Sequence, residues 1–404
     1  MASATERGAG VVPGFQRPVE SVGFRVSESA LGPGPIRAGR YGSLGEESNA
    51  GTAPTGVPST VAAPTVRSKA RLDSVQLLRA IAATTVVAFH TEAYKGIGSW
   101  GVTLFFVISG FIMCYVTEAS GAQFLQKRII RIVPLYWAGT IAVFGVALFA
   151  PSLVQNTTTD VGALFKSLAF IPFWKGSVQE PVLFLGWTLN LEMMFYLLFA
   201  VSLAVSHRHR AVIASAVLLV FAAWGQLVHF PSDILTFFSQ PIILDFIFGM
   251  TAYSILRRLG EWSAATARVP ARRWAWVLAG TATLATMPFV ARVPVDVFPA
   301  TPDGIVLGLI AAAAFCCIVH GLTGVRLPLF AVLVGDASYS LYLFHPYVIQ
   351  VFAKVFKAFD NPGLIGYVFA AFAVALCCVL AVALYRFVEA PVTRYLRSRL
   401  ARGA

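Results

Sequence analysis

An all-α, polytopic membrane bundle of about ten transmembrane helices is what this 404-residue sequence predicts. Three observations carry that expectation. The chain is 57% hydrophobic and only 12% charged, whereas soluble domains are about 25% charged. Beyond residue 71 it reads as a string of apolar stretches. Basic residues fall at alternate ends of those stretches, the pattern by which loops are retained on the cytoplasmic side.

Taken in order, residues 1–70 stand apart. They are rich in Gly, Pro, Ser and Ala, as in GPGPIRAGR and TAPTGVPSTVAAPT. They hold no apolar run of signal-peptide length, and Glu6, Glu20, Glu28, Glu46 and Glu47 are out of place in a transit peptide. The segment reads as a disordered cytoplasmic tail, and residues 71–404 as one transmembrane domain.

Ten spans are expected, at 73–93, 101–118, 132–150, 183–205, 211–229, 234–256, 274–291, 304–323, 332–357 and 363–386. Most reach the ~20 residues needed to cross a bilayer. ALFKSLAFIPFW, at 163–174, is too short to span and is expected to lie in the interface or re-enter. Arg67, Lys69 and Arg71 precede the first span. Lys127, Arg128 and Arg131 follow the second, His207 to Arg210 the fourth, Arg257 and Arg258 the sixth, Arg326 the eighth, and Arg394 to Arg402 the tenth. Every even-numbered exit is basic, which places both termini in the cytoplasm.

The formal net charge of +12 could suggest a nucleic-acid partner. The basic residues sit at span ends and no recognition module is visible, so no nucleic-acid binding is expected. Cys114, Cys316, Cys317, Cys377 and Cys378 lie within apolar runs and form no CxxC. They read as small buried hydrophobes, and no metal site is suggested.

Ionisable groups inside spans are costly and default to functional candidates. Arg79 and His90 lie eleven residues apart in LLRAIAATTVVAFH, about three helical turns, so they share one face about 16 Å apart. That layout suits an anionic donor held at one end and proton chemistry at the other. Glu192 sits in LGWTLNLEMMFYLLF and Asp245 in PIILDFIFGM. Asp336 and His345 sit in LVGDASYSLYLFHPYV, and Glu92 lies just past His90.

Each has a plainer reading. Asp336 reads as an N-cap for the helix after Gly335, and His345, before Pro346, as the donor to a carbonyl that the proline leaves free. Asp245 reads equally as a structural partner for a neighbouring helix. Ser109 and Gly110, in VTLFFVISGFIM, are explained by close helix packing alone. The basic residues of FLQKRIIRIVPLYW fit either a topology anchor or a cradle for a phosphate-rich ligand. Residue types alone leave those two open.

Seven segments together resemble acyltransferase family 3, in particular its bacterial exopolysaccharide-production and O-antigen acetyltransferases. They are LDSVQLLRAIAATTVVAFH, VTLFFVISGFIM, FLQKRIIRIVPLYW, GWTLNLEMMFYLLF, DFIFGM, LVGDASYSLYLFHPYV and YRFVEAPVTRYLR. They stand in family order over about residues 72 to 400. The resemblance implies transfer of an acyl group, usually acetyl, from cytoplasmic acyl-CoA to a carbohydrate hydroxyl at a bacterial inner membrane. Arg79 and His90 fall on the family's Arg–x10–His motif, which implies that His90 is essential to transfer and that Arg79 binds donor or organises the site. Glu192 falls on the acidic position of WTL-x-x-E. Ser109 and Gly110 fall on SGF, and Arg128 and Arg131 on R-x-x-R-x-x-P ending at Pro134. No fused hydrolase-like domain is expected, and the resemblance therefore favours the exopolysaccharide group.

The mechanism expected on this basis has His90 as base, with Glu192 orienting it or balancing charge. Arg79 holds donor phosphate or the site's electrostatics, and Arg128, Arg131 and Ser109 lie on the donor side. Asp245 and His345 are further intramembrane polar groups without an assigned role. The acceptor is a carbohydrate, a lipid-linked one included, and acetyl-CoA is the expected donor, with succinyl or longer chains left open. A homo-oligomer is equally open. The competing class is a secondary transporter or flippase of a glycan or small anion, because intramembrane Arg, His and Glu also serve proton-coupled transport. No inverted internal repeat is visible to support it.

Overall fold

The computed structural model describes residues 72–91, 100–154, 157–173, 181–228, 233–263, 270–291, 304–356 and 364–402. Among the described residues there are helices and no strands. The expected tail, the loop with Glu92, and the loops with Ser177 and Asn361 lie outside them.

The chain begins with α1 (Asp73–Phe89), α2 (Gly101–Val116), α3 (Phe124–Phe149), the short α4 (Val161–Leu168), α5 (Gly186–Val205) and α6 (Arg210–Leu227). It continues through α7 (Asp233–Phe238), α8 (Leu244–Ser263), α9 (Pro270–Val290), α10 (Ile305–Gly321), α11 (Leu329–Asp336), α12 (Ser338–Phe356), α13 (Leu364–Leu384) and α14 (Ala390–Arg402). Phe124–Phe149, Gly186–Val205, Arg210–Leu227, Ile234–Leu259 and Leu364–Arg402 are long and apolar enough to cross a membrane, by length and composition. Gly101–Val116 and Ile305–Gly321 are shorter apolar helices.

Each expected span corresponds to a helix, with four differences. The third begins at Phe124 rather than 132, so Arg128 and Arg131 belong to its first turns and are buried. The sixth is interrupted, α7 ending at Phe238 and α8 beginning at Leu244. The ninth is broken: α11 ends at Asp336 and α12 begins at Ser338. Asp336 therefore closes a helix instead of capping the next one. The tenth does not stop at 386, because a π-helical turn at Tyr385–Glu389 carries it into α14. The short piece expected near 163–174 is α4, started by Asp160, whose carboxylate accepts from the Ala163 N–H at 2.7 Å. It folds against α3, where Tyr136 and Trp137 donate to the Ser167 and Leu168 carbonyls.

α2 lies deepest. Fourteen of its 16 residues are buried, as a helix apolar on every side requires. It crosses α8 at two opposed glycines. A Cβ on Gly110 would lie 2.1 Å from the Phe246 carbonyl oxygen, and one on Gly249 would lie 2.0 Å from that of Val107. Only residues without a side chain allow backbones this close. α1 packs on α2, α11, α12 and α13, and Gly335 of α11 presses equally close against Gln76 of α1. Outer faces carry exposed apolar side chains, among them Leu219 and Leu227 of α6 and Val368 and Phe372 of α13. In water such patches would be adhesive; against hydrocarbon they are the matching surface.

Candidate active site

The two residues that open the site are held along the seam between α1 and α12. Arg79 is fully buried in α1. Its guanidinium donates to Gln76 Oε1 at 2.6 Å and to Ser338 Oγ. Eleven residues on, α1 ends: Thr91 turns back and donates its backbone N–H and hydroxyl to the Ala88 carbonyl at 2.9 and 2.6 Å. His90 is the half-buried residue at that end. Its Nδ1 lies 2.9 Å from the Val86 carbonyl oxygen and 3.0 Å from Nε2 of His345 in α12. The two imidazole centroids are 4.8 Å apart, and Phe184 meets the His90 ring edge-on at 6.2 Å. Ser338 and His345 are seven residues apart, about two turns, so they share one face of α12. α1 and α12 run in the same direction, since Arg79 meets Ser338 and, further along both helices, His90 meets His345.

His345 does what its place before Pro346 suggests. Pro346 has no N–H to offer the Tyr342 carbonyl, and His345 Nδ1 lies 2.8 Å from that oxygen and 3.1 Å from the Leu341 oxygen. Its other nitrogen reaches His90, a contact with a residue 255 positions away that the sequence does not announce.

A second polar cluster joins α2, α3 and α5. Glu192 is fully buried, and its Oε1 accepts from Ser109 Oγ at 2.9 Å and from the Tyr196 hydroxyl. Tyr196 lies in the electrostatic field of Arg128, whose guanidinium stands 5.7 Å above the Phe124 ring. Arg131 is buried one turn further along α3. The expected His90–Glu192 pair is therefore served by different partners: His345 and Val86 for the imidazole, Ser109 and Tyr196 for the carboxylate. Arg79 likewise is engaged by Gln76 and Ser338.

Asp245 is buried in α8, takes a hydrogen bond from Thr103 and sits where a side chain on Gly308 would be. It joins α2, α8 and α10, its plainer reading. No group of three His, Cys, Asp or Glu among the described residues is arranged to hold a metal ion.

Residues 72–384 match the family model described as Acyltransferase domain, Acyl_transf_3. The chain belongs to that family. This acyltransferase is 33% identical to the exopolysaccharide production protein ExoZ of Rhizobium meliloti (strain 1021), over 77% of the chain and 96% of the relative. It is 26% identical to Nodulation protein 10 of Rhizobium leguminosarum bv. viciae, over 71% and 86% of the two chains. It is 28% identical to the acyltransferase MdmB of Streptomyces mycarofaciens, over 69% and 79%. No solved structure matches it. The acyltransferase is thus a membrane enzyme of the O-acyltransferase class, and the transporter reading goes no further.

Sequence reasoning passed over several groups in the acyltransferase that the structure brings in. Gln76 and Ser338 hold Arg79. Tyr339 donates to the Ile132 carbonyl of α3 at 2.9 Å, and the Tyr342 hydroxyl sits 3.2 Å from Thr188 Oγ1 of α5. Ser340 donates to Glu389 in the π turn at 2.7 Å. The available signal was the density of hydroxyls in DASYSLY: polar side chains crowded in a span must find partners on other helices.

Proposed function

We propose that the protein transfers an acetyl group from cytoplasmic acetyl-CoA to a carbohydrate hydroxyl of an exopolysaccharide or envelope glycan. It would do so at the bacterial inner membrane, with both termini in the cytoplasm. The observation that carries the reading is the imidazole of His90, held at the end of α1 by a second histidine, within a chain of the acyltransferase family. The acceptor class is supported by the name of the relative ExoZ, an exopolysaccharide production protein. The inner-membrane orientation is supported by basic residues at alternate span ends.

The chemistry follows from what the imidazole can do. His90 takes the proton as the acceptor hydroxyl oxygen attacks the thioester carbonyl carbon. The tetrahedral intermediate collapses, the carbon–sulfur bond breaks, and the thiolate of CoA recovers the proton from the imidazolium. Arg128 and Arg131 meet the phosphates of the donor. Arg79, joined to Gln76 and Ser338, keeps α1 and α12 in register, and Glu192, held by Ser109 and Tyr196, balances the charge of Arg128 on the donor side.

The experiment is turnover of acetyl-CoA by the purified protein, paired with mass spectrometry of envelope and secreted glycans with and without it. The expected result is thiol release that needs a glycan acceptor, and one acetyl group lost from one glycan when the protein is absent. Turnover with no change in any glycan would reject the acceptor class. Transfer from succinyl-CoA but not acetyl-CoA would reject the donor.

A further inference from the structure

General base catalysis needs one imidazole nitrogen bearing a lone pair and aimed at the reacting hydroxyl, and the neighbours of the other nitrogen decide which one that is. In this protein the decision begins at Pro346. Proline cannot donate to the carbonyl four residues earlier, so the Tyr342 oxygen takes its hydrogen bond from the His345 ring instead. Two carbonyl oxygens face His345 Nδ1, at 2.8 and 3.1 Å. Carbonyl oxygens only accept, so Nδ1 carries the proton. A neutral imidazole protonated there has its lone pair on Nε2.

That Nε2 lies 3.0 Å from His90 Nδ1, and the Val86 carbonyl oxygen lies 2.9 Å from the same atom. Two acceptors now face His90 Nδ1. It too must carry its proton, because a lone pair there would oppose two others at hydrogen-bond distance. The lone pair of His90 is thereby assigned to Nε2.

We propose that His345 is a positioning residue that holds His90 in the Nδ1–H tautomer, so that Nε2 of His90 is the atom that removes the acceptor proton. The inference rests on His90 being the base, as given under Proposed function. The acceptor O–H bond breaks with its proton passing to Nε2, and the oxygen–carbon bond forms. The carbon–sulfur bond then breaks with its electron pair on sulfur, and the proton moves from Nε2 to sulfur to give free thiol. Throughout, His90 Nδ1–H stays donated to His345 and Val86, and His345 is neither oxidised nor acylated. The device fits its location. An orienting carboxylate would add a charge to a buried site, whereas a neutral imidazole orients without one.

The test uses the full chain in lipid nanodiscs, with histidine labelled with nitrogen-15 and the His90 resonances identified by their loss in His90→Gln. The expected spectrum has a protonated Nδ1 and an unprotonated Nε2 on His90. A wild-type spectrum with the proton on Nε2 overturns the proposal whatever the variants do. His345→Leu should mix the tautomers and lower kcat by at least about 10-fold, leaving KM for acetyl-CoA unchanged. His345→Gln, whose amide oxygen can accept from Nδ1–H, should recover part of the rate. A helix-packing role alone would alter folding yield in both variants and leave the tautomer in place. If His90→Ala retains activity, the base assignment itself fails. If His90→Ala is inactive while His345→Leu keeps both wild-type kcat and the Nδ1–H tautomer, only the role of His345 falls.

Discussion

Ser109 donates to Glu192 across 2.9 Å between α2 and α5, and Gly110, the next residue, leaves room for the backbone of α8. The SGF motif thus performs two tasks one residue apart. The hydroxyl answers a buried carboxylate, and the glycine admits a helix.

Separating those tasks gives the first prediction. Ser109→Ala removes one hydrogen bond and should lower stability by about 1 kcal/mol. Glu192→Gln keeps an acceptor for Ser109 and Tyr196 but removes the charge in the Arg128 field. It should fold and lose roughly 10²-fold in acetyl transfer. Thermal unfolding and acetyl-CoA turnover measured side by side check this; equal loss of turnover in both variants would remove the charge from the argument.

Gly249 is the second target. Gly249→Ala places a methyl group against the Val107 carbonyl, where the Cβ would stand 2.0 Å away. Separation of α2 from α8 should cost about 1–3 kcal/mol. Gly145, whose Cβ would meet nothing within 4 Å, is the control, and Gly145→Ala, inside α3, should be neutral to stabilising by up to about 1 kcal/mol. A melting temperature that falls equally in both variants contradicts the close-crossing account.

A third prediction concerns the donor. Arg128→Ala and Arg131→Ala should weaken CoA binding by about 10- to 100-fold, the value of a charge-assisted hydrogen bond. Arg→Lys at either position should recover part of it. Calorimetric titration of CoA reads this directly. Unchanged CoA affinity with weaker acceptor binding would assign both arginines to the other substrate.

Topology supplies the fourth. With the native cysteines removed, single cysteines at Ser177 and Asn361 should react with a non-permeant maleimide from outside, and those at Arg208 and Ala404 should not. Labelling of Arg208→Cys from outside would invert the first half of the ladder.

The helices were legible because a bilayer demands long apolar runs. The break in the ninth span was written less plainly. Gly335, Asp336 and Ala337 form a short run of small and polar residues, and what they accommodate, the backbone of α1 at Gln76, belongs to another part of the chain. The site was legible by residue type and not by pairing. Arg79, His90, Glu192 and His345 stood out because charge or imidazole inside a span needs a reason. That His345 meets His90 while Glu192 meets Ser109 and Tyr196 depends on helix order around the bundle, which periodicity along one helix cannot encode.

The π turn at Tyr385–Glu389 shapes the end of the chain. It inserts one residue beyond the α-helical register, and an inserted residue rotates everything after it by about 100°. Glu389 reaches Ser340 from within this wide turn, and the face that α14 offers to α3, where Gln123 donates to the Leu400 carbonyl, is set by the same rotation. The last thirteen residues of the helix are therefore phased independently of the lipid-facing side of α13. Loss of a single residue here would keep the helix continuous and every side chain chemically intact, yet swing the terminal arginines a quarter-turn around the axis. The length of this segment, more than its composition, is what inheritance has to preserve.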